Sequence, residues 1–250
     1  MKEQHPATFA ESDIEKLILF FTKKGGLVLD PFLGSGSTLI ACLNTGRNGY
    51  GVELVNRWSA IAHRRLEQAK QKTEGNSQLS VNALDLQILS GDSRIILRRF
   101  GSESVDFVVT SPPYWRILNK ARDHKSKRER LSKGLPTKYS QDVRDLGNAP
   151  DYRAFLAELA KVFAECFRIL VGGKYMVVVA SDFRHGSRFI PFHNDLANCV
   201  QGVGFSLEGI TVLVQDSKNL YPYGMPYAFV SNIHHQYILI FRKASSSTAA

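Results

Sequence analysis

Cysteine is scarce in this chain, with only Cys42, Cys166 and Cys199 among its 250 residues. An odd, widely spaced set with no CxxC pair and no Cys/His cluster excludes a disulfide framework or a zinc site and fits a reducing compartment. Also missing is any run approaching the roughly 18 uncharged apolar residues that a membrane span needs. The N-terminal stretch MKEQHPATFAESD is polar and acidic, where a secretory signal would be basic and then apolar. These absences lead to the expectation of a soluble cytoplasmic protein with no membrane partner. No internal repeat is present, so solenoids and propellers are excluded.

What the chain has in excess is positive charge: a formal +9 and a pI near 9.5. A basic surface favours a polyanion, because binding releases condensed counterions, although composition alone fits simple solubility equally well. The length suits one large domain with a single core. Residues 12–15 (SDIE) read as a capping box opening a helix along Ile14, Leu17, Ile18 and Phe21, which stops at residues 23–26 (KKGG). Short apolar runs at 27–29, 48–54, 87–89 and 105–109 read as buried strands. Helices at 37–44 and about 56–73 separate the first of them, and Trp58, Ile61, Ala62 and Leu66 form the inward face of the second. This alternation predicts an open α/β sheet. Residues 116–150 carry about ten Lys or Arg and few aliphatics, which reads as a loop-like basic insertion. Helical spacing then resumes through Phe155, Leu159, Val162, Phe163, Cys166 and Leu170 until Gly172 and Gly173 stop it. Strands follow at 175–180, 205–214 and 236–241, the last two pairing antiparallel, and residues 244–250 read as a disordered tail.

Two turns carry the chemistry. The first strand runs into residues 30–38 (DPFLGSGST) and then a helix, so a glycine turn lies at a strand's carboxyl end, where open α/β sheets bind ligands. A P-loop would need four residues between its glycines and a Lys before Ser/Thr, and neither is present. A dinucleotide fingerprint would need a small residue where Leu39 stands. The loop therefore reads as one whose backbone approaches a ligand closely, with Asp30 as a nearby acceptor and Glu53, ending the next strand, able to accept both hydroxyls of a ribose. The second turn is residues 111–115 (SPPYW), after the strand at 105–109. Its paired prolines remove two backbone donors and stiffen the chain.

Together these turns resemble the amino-group DNA methyltransferases: residues 30–38 are similar to the family's cofactor motif and residues 111–115 to its catalytic motif. Residues 5–9 (HPATF) are similar to its additional N-terminal cofactor motif, and residues 91–93 (GDS) to the acidic turn that contacts adenine. The resemblance runs from about residue 9 to 243. It implies a single Rossmann-like methyltransferase domain over residues 1–243, with a seven-stranded, mostly parallel sheet and an antiparallel strand near one edge. It also implies S-adenosyl-L-methionine as cofactor, held by Phe9, Asp30, Phe32, Gly34, Ser35, Gly36, Ser37, Thr38, Glu53 and Asp92. Ser111, Pro112, Pro113 and Tyr114 are implied as catalytic, with Tyr114 stacking on a flipped base, and no metal is implied. The substrate implied is an exocyclic amine of DNA, with cytosine N4 favoured over adenine N6 because Ser stands before the prolines. The family's target-recognition domain has room only at 116–150 and 219–233, so a second protomer or partner subunit would complete the DNA grip.

The alternatives are an amine of RNA or protein as substrate, or an inactive DNA-binding companion subunit. Methylation at cytosine C5 would need a cysteine nucleophile, and none sits beside the Pro-Pro turn. His234 and His235 lack an acidic or cysteine partner at ligand spacing. Tyr221, Tyr223, Tyr227 and Phe229 could contact unstacked bases, and the basic run 120–138 could contact phosphates.

Overall fold

The computed structural model describes residues 10–74, 83–116, 140, 142–186, 188–215, 222–223 and 230–245. In chain order its elements are α1 (Glu11–Phe21), β1 (Leu27–Asp30), α2 (Ser37–Thr45), β2 (Asn48–Glu53), α3 (Asn56–Glu74), β3 (Leu86–Ser90), α4 (Ser93–Ile96) and β4 (Val105–Thr110). There follow α5 (Tyr152–Ile169), β5 (Leu170–Ala180), β6 (Phe183–His185), β7 (Arg188–Ile190), α6 (Phe192–Gln201), β8 (Ser206–Val214), β9 (Pro222–Tyr223), β10 (Val230–Ser231) and β11 (His235–Arg242). Seven strands form one sheet in the order β3-β2-β1-β4-β5-β11-β8. The β3 to β5 half is parallel, while β11 runs antiparallel to both β5 and β8. This is the Rossmann-like methyltransferase sheet that the resemblance implies, with its antiparallel strand second from the edge.

Strand alternation explains how both faces are filled. On β1 and β4, Val28, Phe107 and Val109 pack with Ile14 and Ile18 of α1 and with Ala41 and Cys42 of α2. Leu29 and Val108 point the other way, against Phe155, Leu159 and Phe163 of α5 and Phe192 and Leu196 of α6. The inward face read for α3 is the observed one, since Trp58, Ile61, Ala62 and Leu66 are all buried. Chain order reverses beside β1, whose two neighbours are β2 and β4, and this opens a crevice at the carboxyl ends of the strands.

Three local readings are corrected. The first helix starts at Glu11 and its N-cap, Ala10, gives no side-chain bond, so residues 12–15 are not a capping box. The acids are used elsewhere: Glu11 pairs with Arg65, and Glu15 accepts from Asn44 at 2.6 Å. Gly172 and Gly173 do not stop α5, which ends at Ile169. They lie within β5, where Gly173 takes φ +80° beside the register shift against β4. Between β3 and β4 the chain also makes α4 and a 3-10 turn (Leu97–Arg99), both too short to show a period in sequence.

Candidate active site

The glycine loop is shaped from below. Asp30, at the end of β1, is buried and accepts from Thr38 Oγ1 at 2.6 Å, Thr110 Oγ1 at 2.6 Å and Phe32 N–H at 3.0 Å. It thereby ties the start of α2 and the end of β4 to the loop, and burial raises its pKa. Gly36 takes φ +91°, and a Cβ there would lie 3.0 Å from that of Ala62 on α3, so both space and conformation require glycine. Leu39, which weakened the dinucleotide reading, finds its room in β2: a Cβ on Gly49 would meet it at 2.8 Å, and one on Gly51 would meet Leu33 at 2.5 Å. The close approach that a small helix residue usually provides comes here from two strand glycines. Arg65 of α3 donates to the Ser35 carbonyl and hydroxyl, fixing the loop's outer side.

Glu53 ends β2 with each carboxylate oxygen accepting one backbone N–H, from Gly34 at 2.8 Å and Val55 at 2.8 Å. Burial pushes its pKa up to about 7 despite those bonds. Asp92 follows β3, caps α4 through Arg94 N–H at 2.9 Å and is paired with the Arg94 guanidinium at 2.6 Å. Arg94 also pairs with Glu158 of α5.

A cleft joins these turns, lined by Phe32, Gly34, Glu53 and Asp92 on one side and by Ser111, Pro112 and Pro113 on the other. Among the described residues no group hydrogen-bonds the Ser111 hydroxyl. Tyr114 is in a different place: it is buried against Phe183 and Phe192, and its hydroxyl accepts from Ser181 N–H at 2.9 Å. Burial pushes that phenol's pKa up to about 12. Asp30, Ser35, Gly36, Ser37 and Thr38 shape the loop without lining the cleft. Phe9, the basic run 120–138, Tyr221, Tyr227 and Phe229 lie outside the described residues.

Sequence reasoning missed one wall. Arg144, Asp145 and Leu146, near the end of the stretch read as a loop-like insertion, line the cleft, and Asp145 and Leu146 are buried. This strap is tied to the Ser111 turn by Trp115 Nε1–H to Ala149 O at 3.0 Å and by Arg116 N–H to Gly147 O at 3.1 Å. Arg94 Nη2 reaches the Arg144 carbonyl at 2.9 Å, joining it to the Asp92 turn. The only sequence signal was Asp145 before Gly147, which marks a capped turn: the carboxylate accepts Gly147 N–H at 2.9 Å.

The glycine loop and Glu53 fall within the stretch that matches known proteins. Residues 1–64 match the family model described as DNA methylase. That segment is similar to the DNA methylases. The type II methyltransferase M2.DpnII of Streptococcus pneumoniae is 39% identical over 64 residues, 26% of this chain and 24% of that protein. The type II methyltransferase M.ScaI of Streptomyces caespitosus is 40% identical over 67 residues, 27% of this chain and 22% of that protein. The methylase segment thus spans about a quarter of these relatives and stops before the Ser111 turn. Over the whole fold, a SAM-dependent methyltransferase from Methanosarcina mazei superposes with a TM-score of 0.55 at 14% identity, covering 92% of this chain and 98% of that one. A TehB-like SAM-dependent methyltransferase from Corynebacterium glutamicum gives 0.50 at 14% identity, covering 95% and 90%. Among the described residues no helix is long and apolar enough to cross a membrane.

Proposed function

We propose that this protein transfers a methyl group from S-adenosyl-L-methionine to the exocyclic amine of a DNA base, with cytosine N4 favoured over adenine N6. The observation that carries the reading is that the Ser111–Pro113 turn and the Glu53/glycine-loop turn open on one cleft. The residues fit the donor: Glu53 keeps lone pairs free for a ribose diol after its two backbone bonds, and Phe32, Val52 and Trp58 offer apolar walls for an adenine. When bound, S-adenosyl-L-methionine supplies an activated methyl group. The chain's part is alignment. Ser111 Oγ and the Pro112 carbonyl accept the amine's hydrogens, drawing the nitrogen toward tetrahedral geometry. Each bond contributes about 1 kcal/mol net, whereas orientation of the reactants contributes roughly 7–11 kcal/mol.

The preference for cytosine rests on Ser111 alone. A hydroxyl that both donates and accepts can hold an amine without demanding strong basicity from it, and in the family this chain resembles such a serine goes mainly with cytosine. Mass spectrometry of nucleosides released from DNA treated with the pure protein and labelled donor tests both levels. N4-methylcytosine is the expected product. N6-methyladenine as sole product would overturn the cytosine assignment, and label found only in RNA or protein would overturn DNA as the substrate.

A further inference from the structure

The charged groups lining the cleft are of two kinds. Asp92 is matched by Arg94, and Arg144 by Asp142, whose carboxylate it holds at 2.6 Å. Among the described residues, Glu53 and Asp145 have no such partner. Among the described residues, Glu53 is bonded by the Gly34 and Val55 N–H groups, and Asp145 by Gly147 N–H at 2.9 Å and Ser140 Oγ at 2.7 Å. Among the described residues no Lys or Arg lies within ion-pair distance of either carboxylate. Both are buried, and burial raises the pKa of each, so the charged form costs stability unless it takes up a proton or something positive enters. Ribose binding accounts for Glu53. Nothing in the proposed reaction so far accounts for Asp145, which a capping Asn or Ser could replace as the start of its 3-10 turn.

We propose that Asp145 sets the preference of this cleft for the positively charged methyl donor over the neutral product of transfer. The inference rests on the reading of the cleft as the donor site. S-adenosyl-L-methionine carries a sulfonium and an ammonium against one carboxylate, a net positive charge. Transfer breaks the S–CH3 bond with its electron pair staying on sulfur, forms N–CH3, and passes the amine's proton to solvent. The remaining S-adenosylhomocysteine is a thioether with no net charge. A fixed carboxylate in the cleft wall attracts the sulfonium of the first and has no such charge to attract in the second, so it favours donor loading and product release in one arrangement. The strap places this charge beside the catalytic turn, through the Trp115 and Arg116 bonds to Ala149 and Gly147.

The test is calorimetric titration of the full chain with S-adenosyl-L-methionine and with S-adenosylhomocysteine, in the natural protein and in Asp145→Asn. The variant keeps the side chain's size and its acceptor for Gly147 N–H. Expected is a loss of about five- to tenfold in donor affinity with product affinity held within about twofold, so that the ratio between them collapses. Equal losses for both ligands, or no loss for either, would overturn the role of Asp145 while leaving the donor site standing. If the natural protein binds neither ligand, the donor-site reading fails together with the inference. Should Asp145→Asn not fold, Asp145→Ser keeps a capping side chain and serves the same comparison.

Discussion

Glu53 is a carboxyl whose burial works against its own chemistry. Its pKa is raised to about 7, so near neutrality a large share of it is protonated, yet in the proposed function the anion is the form required to accept two ribose hydroxyls and to favour a cationic ligand. The sign for folding follows from the same shift: a raised carboxyl pKa stabilises the fold while the group is protonated. That contribution is full below about 4.5 and is lost as pH rises through about 7. Donor binding should run the other way, weakening as pH falls below about 7 and levelling above it. Glu53→Gln should flatten that dependence and lower affinity by about ten- to a hundredfold at pH 8. Titration calorimetry across pH checks both, and an unchanged profile in a folded variant would remove Glu53 from the ligand.

At the scale of elements, the loop between β1 and α2 depends on what β2 lacks. Gly51 gives Leu33 its place, and a Cβ there would lie 2.5 Å from a Leu33 methyl. Gly51→Ala should therefore destabilise the protein by about 1–3 kcal/mol and loosen donor binding, because Leu33 sits between Asp30 and Gly34 in the loop. Thermal denaturation reads the first effect. Restored stability in Gly51→Ala combined with Leu33→Ala would show overpacking to be the cause. The strands of this half were legible in sequence because each is a short apolar run bounded by Gly, Pro or acid, and Glu53 was legible from its place at a strand end. Asp30 was legible as an acceptor, but its partner Thr110 lies 80 residues away and no local pattern points to it. The Asp145 wall was illegible because ten basic residues dominate the composition of its stretch, whereas burial there is decided by one capped turn against the cleft. Tyr114 follows the prolines in sequence, but the aromatic neighbours that enclose it, Phe183 and Phe192, come from elements well beyond any local window.

The molecule as a whole is basic, and its densest run of cations is 120–138. Neutralising three of Lys125, Lys127, Arg128 and Arg130 should reduce the slope of log affinity against log salt on duplex DNA by up to about three. A binding series at several salt concentrations measures it, and an unchanged slope would place the phosphates elsewhere. The pairing of β1 with β4 has a different kind of consequence. Leu27 N–H bonds Asp106 Oδ2, 79 residues further along the chain, and the two strands lie side by side in the middle of the sheet. Such non-local closure is slow compared with helix formation, and during synthesis β1 keeps one open edge until β4 leaves the ribosome. The segment that matches the methylases, residues 1–64, is therefore not an autonomous ligand-binding module. Its glycine loop can be complete in sequence while the cleft still lacks both the Ser111 turn and the Asp145 wall.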